Sequence, residues 1–74
     1  MNEYEAYHKE LYDVLIQDNQ REFMEFAKRQ GMDLPQNIAE MTRHKAITGH
    51  LGLPEELRAK SRKWLIDRGH RPLD

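Results

Sequence analysis

Apolar residues recur at helical spacing through the first thirty positions of the chain. No proline or glycine interrupts positions 3–30. At about 100° per residue, four apolar side chains share one narrow sector of such a helix, namely Tyr12, Ile16, Phe23 and Ala27. Gly31 follows, and a glycine just past the last helical residue readily takes the left-handed conformation that closes a helix. The pattern predicts one long helix over 3–30.

An alternative helix start lies inside this stretch, at residues 18–20. Asn19 is followed three residues later by Glu22, which is the spacing of a capping box at the beginning of a new helix. The apolar sector nevertheless continues on both sides of Asn19 without a change of phase. The sequence therefore favours one continuous helix over two shorter ones.

A second apolar group occupies another side of the same helix and consists of Tyr7, Leu11 and Val14. A helix that is apolar over about half its circumference needs neighbours on two sides. Two alternatives follow. Either the rest of the chain covers both groups, or Tyr7, Leu11 and Val14 form the seam of a homodimer.

Two shorter helices are predicted over 35–47 and 54–68. Each begins at a proline, which suits the first helical position, and each is followed by a glycine. The expected buried stripes are Ile38, Thr42 and Ala46 in the first helix, and Leu57, Ser61, Trp64 and Leu65 in the second. The predicted fold is all-α, a single domain over 1–74 with the long helix packed against the two shorter ones.

One isoleucine in each short helix lies outside the expected stripe. Ile47 and Ile66 point about 180° away from the middle of their stripes when each residue is rotated by 100°. Either the helix ends bend so that these side chains turn inward, or they form part of a surface that contacts a partner. The sequence leaves both alternatives open.

Composition narrows the class of protein. The chain has 74 residues and no cysteine, which excludes disulfides and thiolate zinc sites and fits a reducing cytoplasm. Its first residues are acidic where a secretory signal carries bases. No apolar run approaches the roughly 20 residues that cross a bilayer. We expect a soluble cytoplasmic protein with no membrane association.

Charge is balanced overall but uneven along the chain. Residues 1–42 hold nine acids and four bases, whereas residues 43–74 hold eight bases and four acids. Pairing between the two parts, a head-to-tail dimer or an anionic partner would each satisfy this asymmetry. A small DNA-binding regulator that uses Arg58, Arg62 and Lys63 is one alternative function. Against it, the connection over 48–53 is longer than the turn of a helix-turn-helix motif.

Candidate chemistry is sparse. Thr42, Thr48 and Ser61 are the hydroxyl-bearing Ser and Thr residues, and none lies in a nucleophile motif. Glu40 and His44 have the one-turn spacing that holds a metal ion on a helix, but an exposed pair at that spacing is more often merely solvated. The sequence predicts no enzyme activity, no cofactor and no metal site.

Two segments resemble known proteins. The opening MNEYEAYHKEL at residues 1–11 and HLGLPEELR at residues 50–58 resemble small accessory proteins of lambdoid phages, from the early region between the exonuclease and excisionase genes. The resemblance implies a helical protein that influences host physiology or the choice between lysis and lysogeny. It carries no catalytic motif and assigns no residue a role.

Protein–protein contact is the leading functional hypothesis. A small helical regulator or adaptor would bind a partner, such as a host protein, through apolar anchors surrounded by charges. Tyr7, Leu11, Val14, Ile47 and Ile66 are the residues predicted to supply that surface or the homodimer seam.

Overall fold

A computed structural model describes residues 2–74 and contains four α-helices. They are α1 (Glu3–Ile16), α2 (Gln20–Arg29), α3 (Gln36–Gly49) and α4 (Glu55–Asp67). No strand occurs among these described residues. The all-α prediction is therefore confirmed, although the number of helices differs from the three expected.

The predicted single helix over 3–30 is wrong, because the chain breaks between α1 and α2. Asp18 has a φ of 51°, in the left-handed region that a right-handed helix cannot contain. Asn19 then caps α2, its side-chain oxygen accepting from the backbone N–H of Glu22 at 3.0 Å. The rejected capping signal was thus the correct indicator. The uninterrupted angular phase of the apolar residues wrongly favoured one helix, because two separate helices bury their residues in one shared core.

Helix α2 folds back against α1. The rings of Tyr7 and Phe26 lie 5.8 Å apart between centroids, and Arg29 Nη2 donates to Glu10 Oε1 at 2.6 Å. Residues 2–9 are exposed throughout, since α2 covers only the later part of α1. The single long helix predicted over 3–30 is therefore two helices that pack against each other.

The hydrophobic core draws on three helices and the loop before α4. Its buried members are Val14, Leu15, Phe23, Phe26, Ile47 and Leu53. Partly buried residues from α1, α3 and α4 pack around them, namely Leu11, Tyr12, Ala46 and Leu57. The protein therefore covers most of the second apolar group of α1 with its own residues.

Helix α3 buries a different face from the one predicted. Ala39 and Ile47 are fully buried, whereas Ile38 is 40% exposed. Arg43 and His44 are also buried, and their side chains have polar partners inside the protein. A hydrophobicity pattern assigns arginine and histidine to the solvent-facing side. The predicted buried face of α3 is therefore rotated by about 100° from the observed one.

Helix α4 follows its predicted stripe closely. Ser61 and Leu65 are buried, and Leu57 and Trp64 are partly buried. Ile66 points to solvent with 59% of its surface exposed. The prediction of the core face therefore succeeds here, where the buried positions are small or apolar.

Residues 70–74 fold back over the end of α3. The backbone N–H of Leu73 donates to Thr48 Oγ1 at 3.0 Å. A Cβ placed on Gly49 would lie only 3.2 Å from the Cβ of Leu73, so the glycine permits this close approach. The segment thereby brings Asp74 to α4.

Loss of the α2 cap is expected to destabilise the protein by about 1 kcal/mol, because Asn19→Ala leaves a helix-terminal N–H without its side-chain acceptor. Urea unfolding followed by circular dichroism measures the change. Asn37→Ala is the matched control, since Asn37 lies inside the first turn of α3 rather than at its cap. Equal stabilities of the two variants would contradict a capping role for Asn19.

Candidate protein-contact site

The residues predicted as a partner surface do not lie together. Val14 and Ile47 are buried in the core, so they are unavailable to a partner of the folded chain, and the inward alternative is correct for Ile47. Leu11 is partly buried against that core. Tyr7 and Ile66 remain exposed, on α1 and α4 respectively. Of the predicted homodimer seam, Tyr7 and the exposed part of Leu11 therefore remain available to a partner.

An aromatic patch surrounds Tyr7 at the start of α1. Tyr4 is 71% exposed, and its ring lies 4.2 Å from that of His8. Tyr7 contacts the same histidine edge-on at 5.4 Å. Tyr4, Tyr7 and His8 thus form one small exposed aromatic patch, which the sequence indicated only in part.

A groove of about 510 Å³ lies between α2, residues 31–35 and the beginning of α3. Its apolar lining consists of Met24, Ala27, Met32, Leu34 and Ala39. Its charged lining consists of Arg21, Glu25, Lys28 and Asp33, with Gln20 and Gln36 completing it. We call this feature the α2–α3 groove. It falls in the size range of ligand and peptide sites.

Two small buried residues and two methionines line the apolar part of the groove. Ala27 and Ala39 are both fully buried, and their small side chains leave open space where α2 and α3 meet. Met24 and Met32 stand beside them. Methionine has three rotatable bonds and a polarizable sulfur, so it adapts to partners of different shape.

The charged rim carries both signs. Arg21 and Glu25 face each other one turn apart on α2, with 3.5 Å between Arg21 Nε and Glu25 Oε1. Lys28 and Asp33 supply one further cation and one further anion. Such a rim sets the orientation of a bound segment more than its affinity.

A polar network fixes the wall of the groove at Gln20. Arg43 Nε donates to Gln20 Oε1 at 2.6 Å, and the same guanidinium forms a close ion pair with Asp18. Lys60 Nζ donates to the second carboxylate oxygen of Asp18 at 2.6 Å. Burial raises the pKa of Asp18, but the hydrogen bonds from Lys60 and Arg43 outweigh this and lower it below 3.8.

His44 continues this network toward α4. Its Nε2 lies 3.2 Å from Arg43 Nη2, and its Nδ1 lies 2.8 Å from Ser61 Oγ. Because a guanidinium only donates, Nε2 must accept and Nδ1 must carry the proton given to Ser61. Burial, followed by the charge of Arg43, lowers the pKa of His44 to about 4. The neutral imidazole is therefore the resident form at neutral pH.

The His44–Ser61 pair is not arranged for nucleophilic catalysis. A general base must accept the proton of the nucleophile, whereas Nδ1 of His44 donates to the hydroxyl. Ser61 is also 1% exposed, and neither residue lines the groove. The network serves to join α3, α4 and the segment between α1 and α2.

A metal site at Glu40 and His44 has no geometric support. Both imidazole nitrogens of His44 already contact Arg43 and Ser61, which leaves neither free for a metal ion. Within residues 2–74, no group of three or more His, Cys, Asp or Glu side chains could hold an ion.

The three candidate nucleic-acid contacts are all ion-paired. Arg58 and Arg62 both contact Asp74, and Lys63 Nζ donates to Asp67 Oδ2 at 2.8 Å. Hydrogen bonding raises the pKa of Arg62 and lowers that of Asp74. An incoming phosphate would have to replace these carboxylates, which weakens its attraction to this face.

Comparisons with known proteins give no assignment. No protein-family model, no curated protein and no solved structure matches this chain. In the part of the chain from residue 2 onward, none of the helices has the length and apolarity needed to cross a membrane.

Proposed function

We propose that the protein is not an enzyme and acts by binding another protein in the α2–α3 groove. The observation that carries this proposal is the combination of an apolar base, two methionines and a rim of mixed charge in one concave site. The described lining contains no Ser, Thr, Tyr, Cys or His, while Met24, Met32 and Leu34 have exposed apolar surface that a partner can desolvate. These features favour recognition over chemistry.

An amphipathic helix of the partner is the proposed occupant. Such a helix presents apolar anchors at positions i, i+3, i+4 and i+7, with charges on either side of that stripe. The groove offers the same combination, because Met24 and Met32 line it together with charged residues of both signs. Arg21 and Lys28 would pair with acids on the partner helix, and Glu25 and Asp33 with bases.

The resemblance of two segments to phage accessory proteins supports a wider setting for this activity, namely an effect on host physiology or on the choice between lysis and lysogeny. A host protein would be the partner, and the absence of cysteine fits a cytoplasmic location. We include that setting in the proposal. DNA binding has less support, because Arg58, Arg62 and Lys63 are occupied by carboxylates.

Met24→Glu is expected to weaken partner binding at least tenfold, because the new carboxylate would be desolvated against an apolar anchor without a partner charge. Ile66→Glu is the matched control, since Ile66 is exposed on α4 and lies outside the groove. Each variant and the wild type would be immobilised, and proteins retained from a bacterial host lysate would be compared quantitatively. Circular dichroism would establish that the variants remain helical.

A protein retained by the wild type and by Ile66→Glu, but lost from Met24→Glu, supports the groove. Equal retention by all three forms would refute it. Sedimentation velocity over a concentration series tests the homodimer separately. If the wild type is a dimer and Met24→Glu is a monomer, a second copy occupies the groove and the partner-helix proposal is wrong.

A further inference from the structure

His44 lies where three parts of the protein meet. Its own helix supplies Arg43, and the segment between α1 and α2 supplies Asp18 through that arginine. Helix α4 faces it with Lys60, Ser61 and Trp64, and Arg68 directly follows that helix. The ring of His70 lies 6.3 Å from that of Trp64. The imidazole of His44 stacks on Trp64 at 4.2 Å between ring centroids, and the Arg68 guanidinium lies 4.1 Å from the same ring centroid.

The hydrogen-bond directions make this contact dependent on one proton. Arg43 donates to Nε2 of His44, and Nδ1–H donates to Ser61. A proton added at Nε2 would place two N–H groups and two positive charges against each other at 3.2 Å. The cation would also face Lys60 and Arg68, and the attraction of Asp18 does not outweigh burial and these positive charges. Protonated His44 therefore cannot keep its contact with Arg43.

We infer that His44 is an acid-sensitive latch that controls the wall of the α2–α3 groove. Arg43 is the connecting residue, because the guanidinium that loses its acceptor on His44 also holds Gln20 and Asp18. Gln20 lines the groove. Acidification pushes the guanidinium of Arg43 away from His44, which disturbs its hydrogen bond to Gln20 and loosens the beginning of α2, while its ion pair with Asp18 persists. The consequence for partner binding rests on the function proposed above, whereas the opening itself does not.

The range of pH in which the latch opens follows from the two states of the imidazole. Burial and Arg43 lower the pKa of His44 to about 4 in the closed state, while a solvated histidine titrates near pH 6.5. The open state therefore binds more protons between these values, and opening increases by about tenfold per pH unit as pH falls through that range. Asp18, whose pKa is lowered below 3.8, responds only at lower pH.

Two measurements on the wild type follow the latch between pH 7 and pH 4.5. Trp64 is the single tryptophan and stacks on His44, so its emission reports protonation of the imidazole. Amide hydrogen exchange at residues 18–28, corrected for the intrinsic pH dependence, reports opening of the groove wall. We expect emission to change and protection to fall over the same pH range, while far-ultraviolet circular dichroism is maintained.

His44→Gln and His70→Gln separate the latch from other effects of acid. Glutamine at position 44 still offers an oxygen to Arg43 but does not titrate, so the exchange transition should disappear. His70 also stacks near Trp64, at 6.3 Å, and His70→Gln should retain the transition. Binding of a partner is not needed for either result.

Several outcomes would overturn the inference. Protection at residues 18–28 that is unchanged down to pH 4.5 would do so, as would a transition that persists in His44→Gln. Loss of helical signal with the same midpoint would indicate global unfolding instead of a local latch. If His44→Gln does not fold, an NMR titration of the wild-type imidazole decides, because its midpoint must coincide with that of the exchange transition.

Discussion

Arg43→Met is expected to destabilise the fold by about 3–5 kcal/mol, which is the cost of removing one partner from a buried ion pair. The substitution leaves Asp18 with Lys60 alone and removes the donor from both Gln20 and His44. Small domains have total stabilities of only about 5–15 kcal/mol. Urea unfolding at pH 7 should therefore show a large fall in midpoint or no folded baseline.

Arg62→Met is the matched control for this substitution. Arg62 also forms a close ion pair, with Asp74, but its side chain is 32% exposed whereas that of Arg43 is 8% exposed. An exposed pair contributes little to stability because solvent screens it. If Arg43→Met and Arg62→Met lost similar amounts of stability, burial of the network would not be what holds the first two helices to the rest.

Ile47→Ala is expected to cost about 2–5 kcal/mol, because it removes buried methyl groups and leaves a cavity in the core. Ile38→Ala on the same helix should cost less than about 1 kcal/mol, since Ile38 is substantially exposed. Thermal or urea unfolding of both variants measures the difference. Both variants replace an isoleucine of α3 with alanine, so the difference between them tests which face of α3 is buried.

The reverse order of stabilities would contradict the observed orientation of α3. It would place Ile38 in the core, as the hydrophobic pattern of the sequence predicted, and Ile47 on the surface, which was one of the two alternatives left open. Similar moderate losses for both would indicate that α3 packs without a defined buried face.

Four of the helix ends were predictable because a single proline or glycine determines each of them. Pro35 and Pro54 directly precede α3 and α4, and Gly31 and Gly69 adopt positive φ after α2 and α4. These residues act through their own backbone preferences, which need no knowledge of the tertiary structure. The all-α class and two of the helices could therefore be predicted from the sequence.

Two errors share one physical origin, which is a polar group whose partner lies far along the chain. Asp18 adopts a left-handed conformation and binds Arg43 and Lys60, which are 25 and 42 residues away. Arg43 is buried because of that same contact. The hydrophobic pattern contains no information on such pairs, so it missed the buried face of α3 and outweighed the local capping signal at Asn19 that marks the break after α1.

The candidate site was harder to predict from the sequence than the fold. The α2–α3 groove combines Met24 and Ala27 with Met32, Leu34 and Ala39 from the next segments, and no periodicity along one helix indicates that they share a surface. Two of the predicted contact residues, Val14 and Ile47, are instead core residues. Exposed apolar positions can be identified from a sequence only when the neighbouring helices are already placed.

The narrow gap between Gly49 and Leu73 links backbone geometry to surface electrostatics. A Cβ at position 49 would stand 3.2 Å from the Cβ of Leu73, so the segment 70–74 would have to shift by a few tenths of an ångström to admit it. Asp74 directly follows Leu73 and pairs with Arg58 and Arg62, so the same shift would change the geometry of both ion pairs. The size of residue 49 therefore sets how closely Asp74 neutralises the basic side of α4.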